Sequence, residues 1–239
     1  MKFVILRKAD RRTEAGLDGG ESLPVDTALP HAMLQPSAHG VRLHFAADGM
    51  RVAQGPFAHT EDLVAGFGYL EADSLQAATE QLERWTPRHE AAPVLELRES
   101  GCPGGLPGID APVARQQQQQ PTEQHFMVML LSDAQLEADA PVDPRRLDAM
   151  ARRNDESVAA GMLVAGDGLK STARGARVAF GSGRPRIVDG PFAEAKELIA
   201  GFWLIRARSM DQAIEWAGRY PYAPSQPVVE IRPVREPAQ

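Results

Sequence analysis

At 239 residues, 43% of them apolar, the chain can bury the cores of two domains of about 100 residues each. A formal charge of -6 argues against a nucleic-acid partner, because a phosphate-binding surface needs clustered Lys and Arg rather than an excess of acid. A single cysteine, Cys102, excludes an internal disulfide and a thiolate metal cluster, and suits a reducing cytosol.

The opening "MKFVILRKADRR" has four apolar residues, Phe3 to Leu6, before Arg7 and Lys8, which is too short for a secretory h-region. No later stretch nears the roughly 18 unbroken apolar residues of a membrane span, so a soluble, cytoplasmic chain with no membrane partner is expected. "FVIL" reads as a strand. The following "EAGLDGGESLPVDTALPHA" carries Gly16, Gly19, Gly20, Pro24 and Pro30 and cannot form a long helix. Further on come "HGVRLHF" (39–45), "AQGPFAHTEDLVAGFGYL" (53–70) and "VLELRE" (94–99). Residues 100–124 are rich in Gly, Pro and Gln, include the run Gln116 to Gln120, and read as a flexible linker.

After the linker the same motifs return in order. "RGARVAF" (174–180) lies 135 residues after "HGVRLHF", "VDGPFAEAKELIAGFWLI" (188–205) keeps that offset, and "VVEIRP" follows "VLELRE" by 134. The leading strands "FVIL" and "FMVM" are only 123 apart, so the first copy lacks twelve residues. In the second copy that interval predicts an amphipathic helix over 143–162, with Asp143 as N-cap and Pro144 at its first position. The second copy reads on as strands near 163–165, 176–180 and 185–188, a short helix over 192–198, a strand over 201–207, a helix over 210–219 and a strand over 228–234. Its strands are expected in one antiparallel sheet. The predicted organisation is a degenerate first domain (1–99) lacking its first helix, the linker (100–124) and a complete domain (125–235).

In "GFWLI", Phe202 and Leu204 point one way and Trp203 and Ile205 the other, so this sheet needs a cover on both faces. Helices can supply one. The first copy's sheet, with Phe67 and Tyr69 at the matching positions and Gly68 in place of Trp203, is the expected second.

"DGPFAEAKELIAGFWLI", preceded by "GDGLKSTARGARVAF" and followed by "SMDQAIEWAGRYP" and "VEIRPV", resembles the DGPF-domain proteins of the YCII-related family over nearly all of 125–235. Residues 33–99 resemble it more weakly, with Gln54 in place of the motif's Asp. The resemblance implies an α+β class of tandem ferredoxin-like domains that pair as an intramolecular dimeric α+β barrel, a pseudo-dimer within a monomeric chain. A small-molecule-binding protein or enzyme, with a cleft between sheet and helices near Asp189, is the expected function; the alternative, which the resemblance implies by family association, is a non-catalytic regulatory partner of an alternative sigma factor.

Candidate residues are few. Asp189 is either the turn residue of the Asp-Gly-Pro-Phe joint or an acid/base group at a strand end, a role Gln54 cannot fill. Glu194 caps the next turn or donates a proton beside Asp189. His59, one turn beyond the first motif, is either a ligand-binding residue or a solvated helix histidine. Arg177 and Arg186 offer an anion-binding edge, or are solvent-facing strand arginines. Whether the chain is an enzyme stays open. No metal site is expected, since His39 and His44 face opposite ways, and no glycine-rich phosphate loop implies a cofactor. Some relatives in the superfamily use a His and Asp pair, which here could only be assembled across both copies. A small-molecule ligand is the expected partner.

Overall fold

The computed structural model describes residues 1–17, 23–26, 29–87, 92–102, 123–192, 197–224 and 226–235. The apolar runs near the start of each half become the central strands β1 (Lys2–Lys8) and β7 (Gln124–Leu131) of two six-stranded antiparallel sheets. The remaining strands of the first half are β2 (Ala32–Met33), β3 (Val41–Ala46), β4 (Gly49–Gln54), β5 (Val64–Glu71) and β6 (Val94–Glu99). Those of the second are β8 (Leu163–Gly168), β9 (Gly175–Gly181), β10 (Gly183–Asp189), β11 (Ile199–Ala207) and β12 (Val228–Pro233).

The strands do not stay within their halves. One sheet runs β10-β9-β6-β1-β5-β2 and the other β4-β3-β12-β7-β11-β8, so each half lends one hairpin to the other's sheet. A single sheet holding all the second half's strands is therefore not formed. Cross-strand charge pairs suit the exchange: Glu96 of β6 is in register with Arg177 of β9, and Glu230 of β12 with Arg42 of β3.

Helices are few. Two short ones, α1 (Arg11–Glu14) and α3 (Ala134–Glu137), follow the central strands behind Asp10 and Asp133, whose side chains accept from the first-turn amides. The helices α2 (Leu75–Glu83) and α5 (Met210–Gly218) start behind Ser74 and Ser209. The predicted long helix is α4 (Pro144–Ala159), capped by Asp143. It docks partly through polar groups: Ser157 Oγ accepts from Trp216 Nε1 and Asn154 Oδ1 from the Tyr220 hydroxyl, both at 2.9 Å. Its Leu147 is exposed. No matching helix follows α1 among the described residues.

The two faces of β11 separate as the alternation predicts. Phe202 and Leu204 meet Val4, Leu6, Phe67 and Tyr69 between the sheets, with the Phe67 and Phe202 rings 4.8 Å apart. Trp203 and Ile205 pack with α5. On the outer face of the first half, Leu23 and Val25 help α2 cover Phe3, Ile5 and Leu97. A Cβ at Gly68 would lie 2.3 Å from Val25 Cγ1, so the coil occupies the space that Trp203 fills in the other half.

Candidate functional site

The strand ends "LELRE" and "VEIRP" place Glu96 and Arg98 on β6, and Glu230 and Arg232 on β12, all buried. In such surroundings charges persist only when paired and hydrogen-bonded, and these are. Arg98 Nη1 donates to Glu96 at 3.1 Å and Nε to the Lys170 carbonyl at 3.0 Å; Arg232 donates to Glu230 and to the Gln35 carbonyl, both at 3.0 Å. Arg98 lies 3.7 Å from Glu137 of α3, and Arg232 lies 3.1 Å from Glu14 of α1.

Those two glutamates lead to the Gly-Pro-Phe turns. Glu137 accepts from the Thr172 amide at 2.9 Å and its hydroxyl at 2.7 Å, and Thr172 Oγ1 accepts from the Phe192 amide at 3.4 Å. Glu14 likewise accepts from the Ser37 amide and hydroxyl, and Ser37 Oγ from the Phe57 amide at 3.2 Å. A Cβ at Gly190 or Gly55 would lie 1.8 Å from the carbonyl oxygen of Thr172 or Ser37, so only glycine fits either turn. Glu14 and Glu137 are 123 residues apart and Ser37 and Thr172 are 135 apart, the offsets of the sequence motifs.

Where the networks reach the surface they differ. Arg177 Nε donates to Glu96 at 3.0 Å and its guanidinium lies 4.2 Å over the Phe192 ring. It faces a cleft of 720 Å³ whose lining includes Lys8, His59 and Asp62 from the first half, and Arg177, Arg186 and Phe192 from the second. Among the described residues Arg177 Nη2 is buried without a hydrogen-bond partner. On the other side, Arg42 Nε donates to Glu230 at 2.9 Å and its guanidinium lies 4.2 Å over Phe57. Glu197 covers it, with Arg42 Nη1 on Oε1 at 3.1 Å and Nη2 on Oε2.

Lys8 is 4% exposed at the end of β1, where the pairing with β5 shifts register between Arg7 and Lys8. Its ammonium donates to the Asp62 carbonyl. Burial, helped by the charge of Arg177, pulls the Lys8 amine below its usual value against the opposing pull of Glu96, Asp62 and Glu197. Burial would raise the Glu96 carboxyl, but Lys8, Arg98 and Arg177 outweigh it and hold it low. For Arg42, burial is likewise outweighed, here by Glu197 and Glu230, and its value rises.

Of the candidate residues, His59, Arg177 and Arg186 share the cleft. Asp189 ends β10 with an exposed side chain, outside the lining. Glu194 lies outside the described residues, as does most of the helix expected over 192–198. His59 has a left-handed backbone (φ 56°) before a turn of 3-10 helix, and its ring, Glu61 and Asp62 bring possible ligand atoms within 4.8 Å of one another, so these three could hold a metal ion. Lys8, Glu96, Arg98 and Glu197 were not singled out from sequence. The signals were a Lys where the matching strand of the second half has Leu131, and a Glu-x-Arg present in both closing strands.

The YCII-related domain matches residues 126–237. An uncharacterized protein of Rhizobium meliloti (strain 1021) is 37% identical over 91 residues, which are 38% of this chain and 71% of that protein. The chain belongs to the YCII-related family. Within the matched YCII-related domain lie Arg177, Arg186 and Phe192, while Lys8, His59 and Asp62 come before it. The cleft is therefore not confined to the YCII-related domain.

Proposed function

We propose that this YCII-related protein binds a small molecule in the cleft that its two halves build together. The observation that carries this reading is Arg177, which lines a 720 Å³ cleft and whose buried Nη2 has no hydrogen-bond partner among the described residues. A buried guanidinium nitrogen without a partner is costly, and a ligand acceptor would remove the cost. The apolar Val94, Val188 and Phe192 beside a few polar groups fit a ligand pocket. In this reading the halves are two copies of one unit, the first shortened, paired within a monomer as a dimeric α+β barrel. The matched networks and the hairpin exchange support that pairing. Asp189 then ends the strand whose Val188 lines the wall, and Arg177 and Lys8 carry recognition.

The test is a thermal-shift screen of the full chain with small carboxylic acids, phenols and their neutral amides. Hits are then mapped by amide chemical shifts. Shifts clustered on Lys8, His59, Arg177 and Phe192, weakened by Arg177→Gln and Phe192→Ala, are expected. A screen without hits, or hits indifferent to both substitutions, contradicts the reading.

A further inference from the structure

We infer that the cleft takes a small monocarboxylate, seated on the Arg177 guanidinium as the Glu197 side chain is seated on Arg42. The inference rests on the cleft being a ligand site. Both arginines send Nε to a buried glutamate on the neighbouring strand and both stack 4.2 Å over a phenylalanine ring. They then diverge. Arg42 is forked by the two carboxylate oxygens of Glu197, the geometry in which a guanidinium binds a carboxylate best.

The residue 135 positions before Glu197 is Asp62, one methylene shorter, and its backbone carbonyl is engaged by Lys8. No carboxylate from the described residues reaches Arg177 Nη2. The chain has thus filled one of two matching guanidinium positions with its own glutamate and left the other, a partly exposed side chain in the cleft lining, without a carboxylate fork from the described residues. Lys8, standing where the second half has Leu131, adds a second cation to the open side. Glu61 and Asp62 in the same wall oppose a second negative charge on the ligand, and Val94, Val188 and Phe192 suit an apolar body. A monocarboxylate with an aryl or alkyl body meets all three conditions.

Isothermal titration of the full chain with benzoate and with benzamide tests this. Benzoate is expected to bind at one site per chain, at least about tenfold tighter than benzamide, since only the carboxylate can take the charged fork. Arg177→Gln should erase that preference, and Arg177→Lys, which keeps the charge without the fork, should reduce it. Glu197→Ala uncovers Arg42 and should raise the benzoate stoichiometry to two. Benzamide binding as well as benzoate, with both lost in Arg177→Gln, overturns the carboxylate inference and leaves the ligand cleft standing; no binding of either overturns the inference, and the thermal-shift screen then decides the cleft. A preference unchanged in Arg177→Lys and Arg177→Gln, or a stoichiometry of one in Glu197→Ala with native circular dichroism, also overturns the inference. Should Glu197→Ala not fold, the two Arg177 variants decide it alone.

Discussion

Lys8 is an amine held almost out of water, and the cost of burying its charge has a definite pH signature. Because the folded chain gives up this proton more readily than the unfolded one, stability rises with pH as the unfolded value of 10.5 is approached; at lower pH the buried charge is a constant penalty. The melting temperature of the wild type relative to Lys8→Met should therefore improve as the pH rises toward 10.5. A difference independent of pH would show that Lys8 is not buried as a cation. Glu96 has the opposite role, as a buried carboxylate held low by Lys8, Arg98 and Arg177 together. Glu96→Gln should cost about 3–5 kcal/mol in urea unfolding, since it strands buried cations. The Glu-x-Arg pairs were visible in the sequence, but alternation usually sends such residues to solvent. Only the pairing of β6 with β9, and of β12 with β3, closes a sheet over them.

Among the elements, the Gly-Pro-Phe turn separates packing from chemistry. Gly190→Ala and Gly55→Ala each drive a Cβ into a carbonyl oxygen and should cost about 1–3 kcal/mol. Asp189 has an exposed side chain, so Asp189→Asn should change the urea midpoint by less than about 0.5 kcal/mol in equivalent stability. A larger loss at Asp189 than at Gly190 would assign the turn's stability to the acid. The glycine was legible because both Gly-Pro-Phe motifs carry it, and so was the long helix, from Asp143, Pro144 and its apolar period. The hairpin exchange was not legible: periodicity tells which face a strand buries, but β9 would bury the same residues beside a strand of either half. Coverage of the first sheet by Leu23 and Val25 was equally hidden, because a Gly- and Pro-rich coil has no period to read.

For the whole molecule, each sheet is completed only by a hairpin from the other half. Residues 1–105 expressed alone should bind apolar dyes and melt without cooperativity, and adding residues 121–239 should restore a sharp melt; a cooperative melt of the first fragment alone would contradict this dependence. The same exchange sets Arg177 of one half over Lys8 and Asp62 of the other, which is why the cleft could not be assembled from either half's motifs. The account's central claim is that one guanidinium position is filled from within the chain and its counterpart awaits a ligand. A crystal structure of the full chain with benzoate tests it most directly. The predicted result is a benzoate carboxylate on the Arg177 guanidinium beside Phe192, with Glu197 still forked on Arg42; benzoate bound away from Arg177, or Glu197 displaced from Arg42 while Arg177 stays bare, would contradict it.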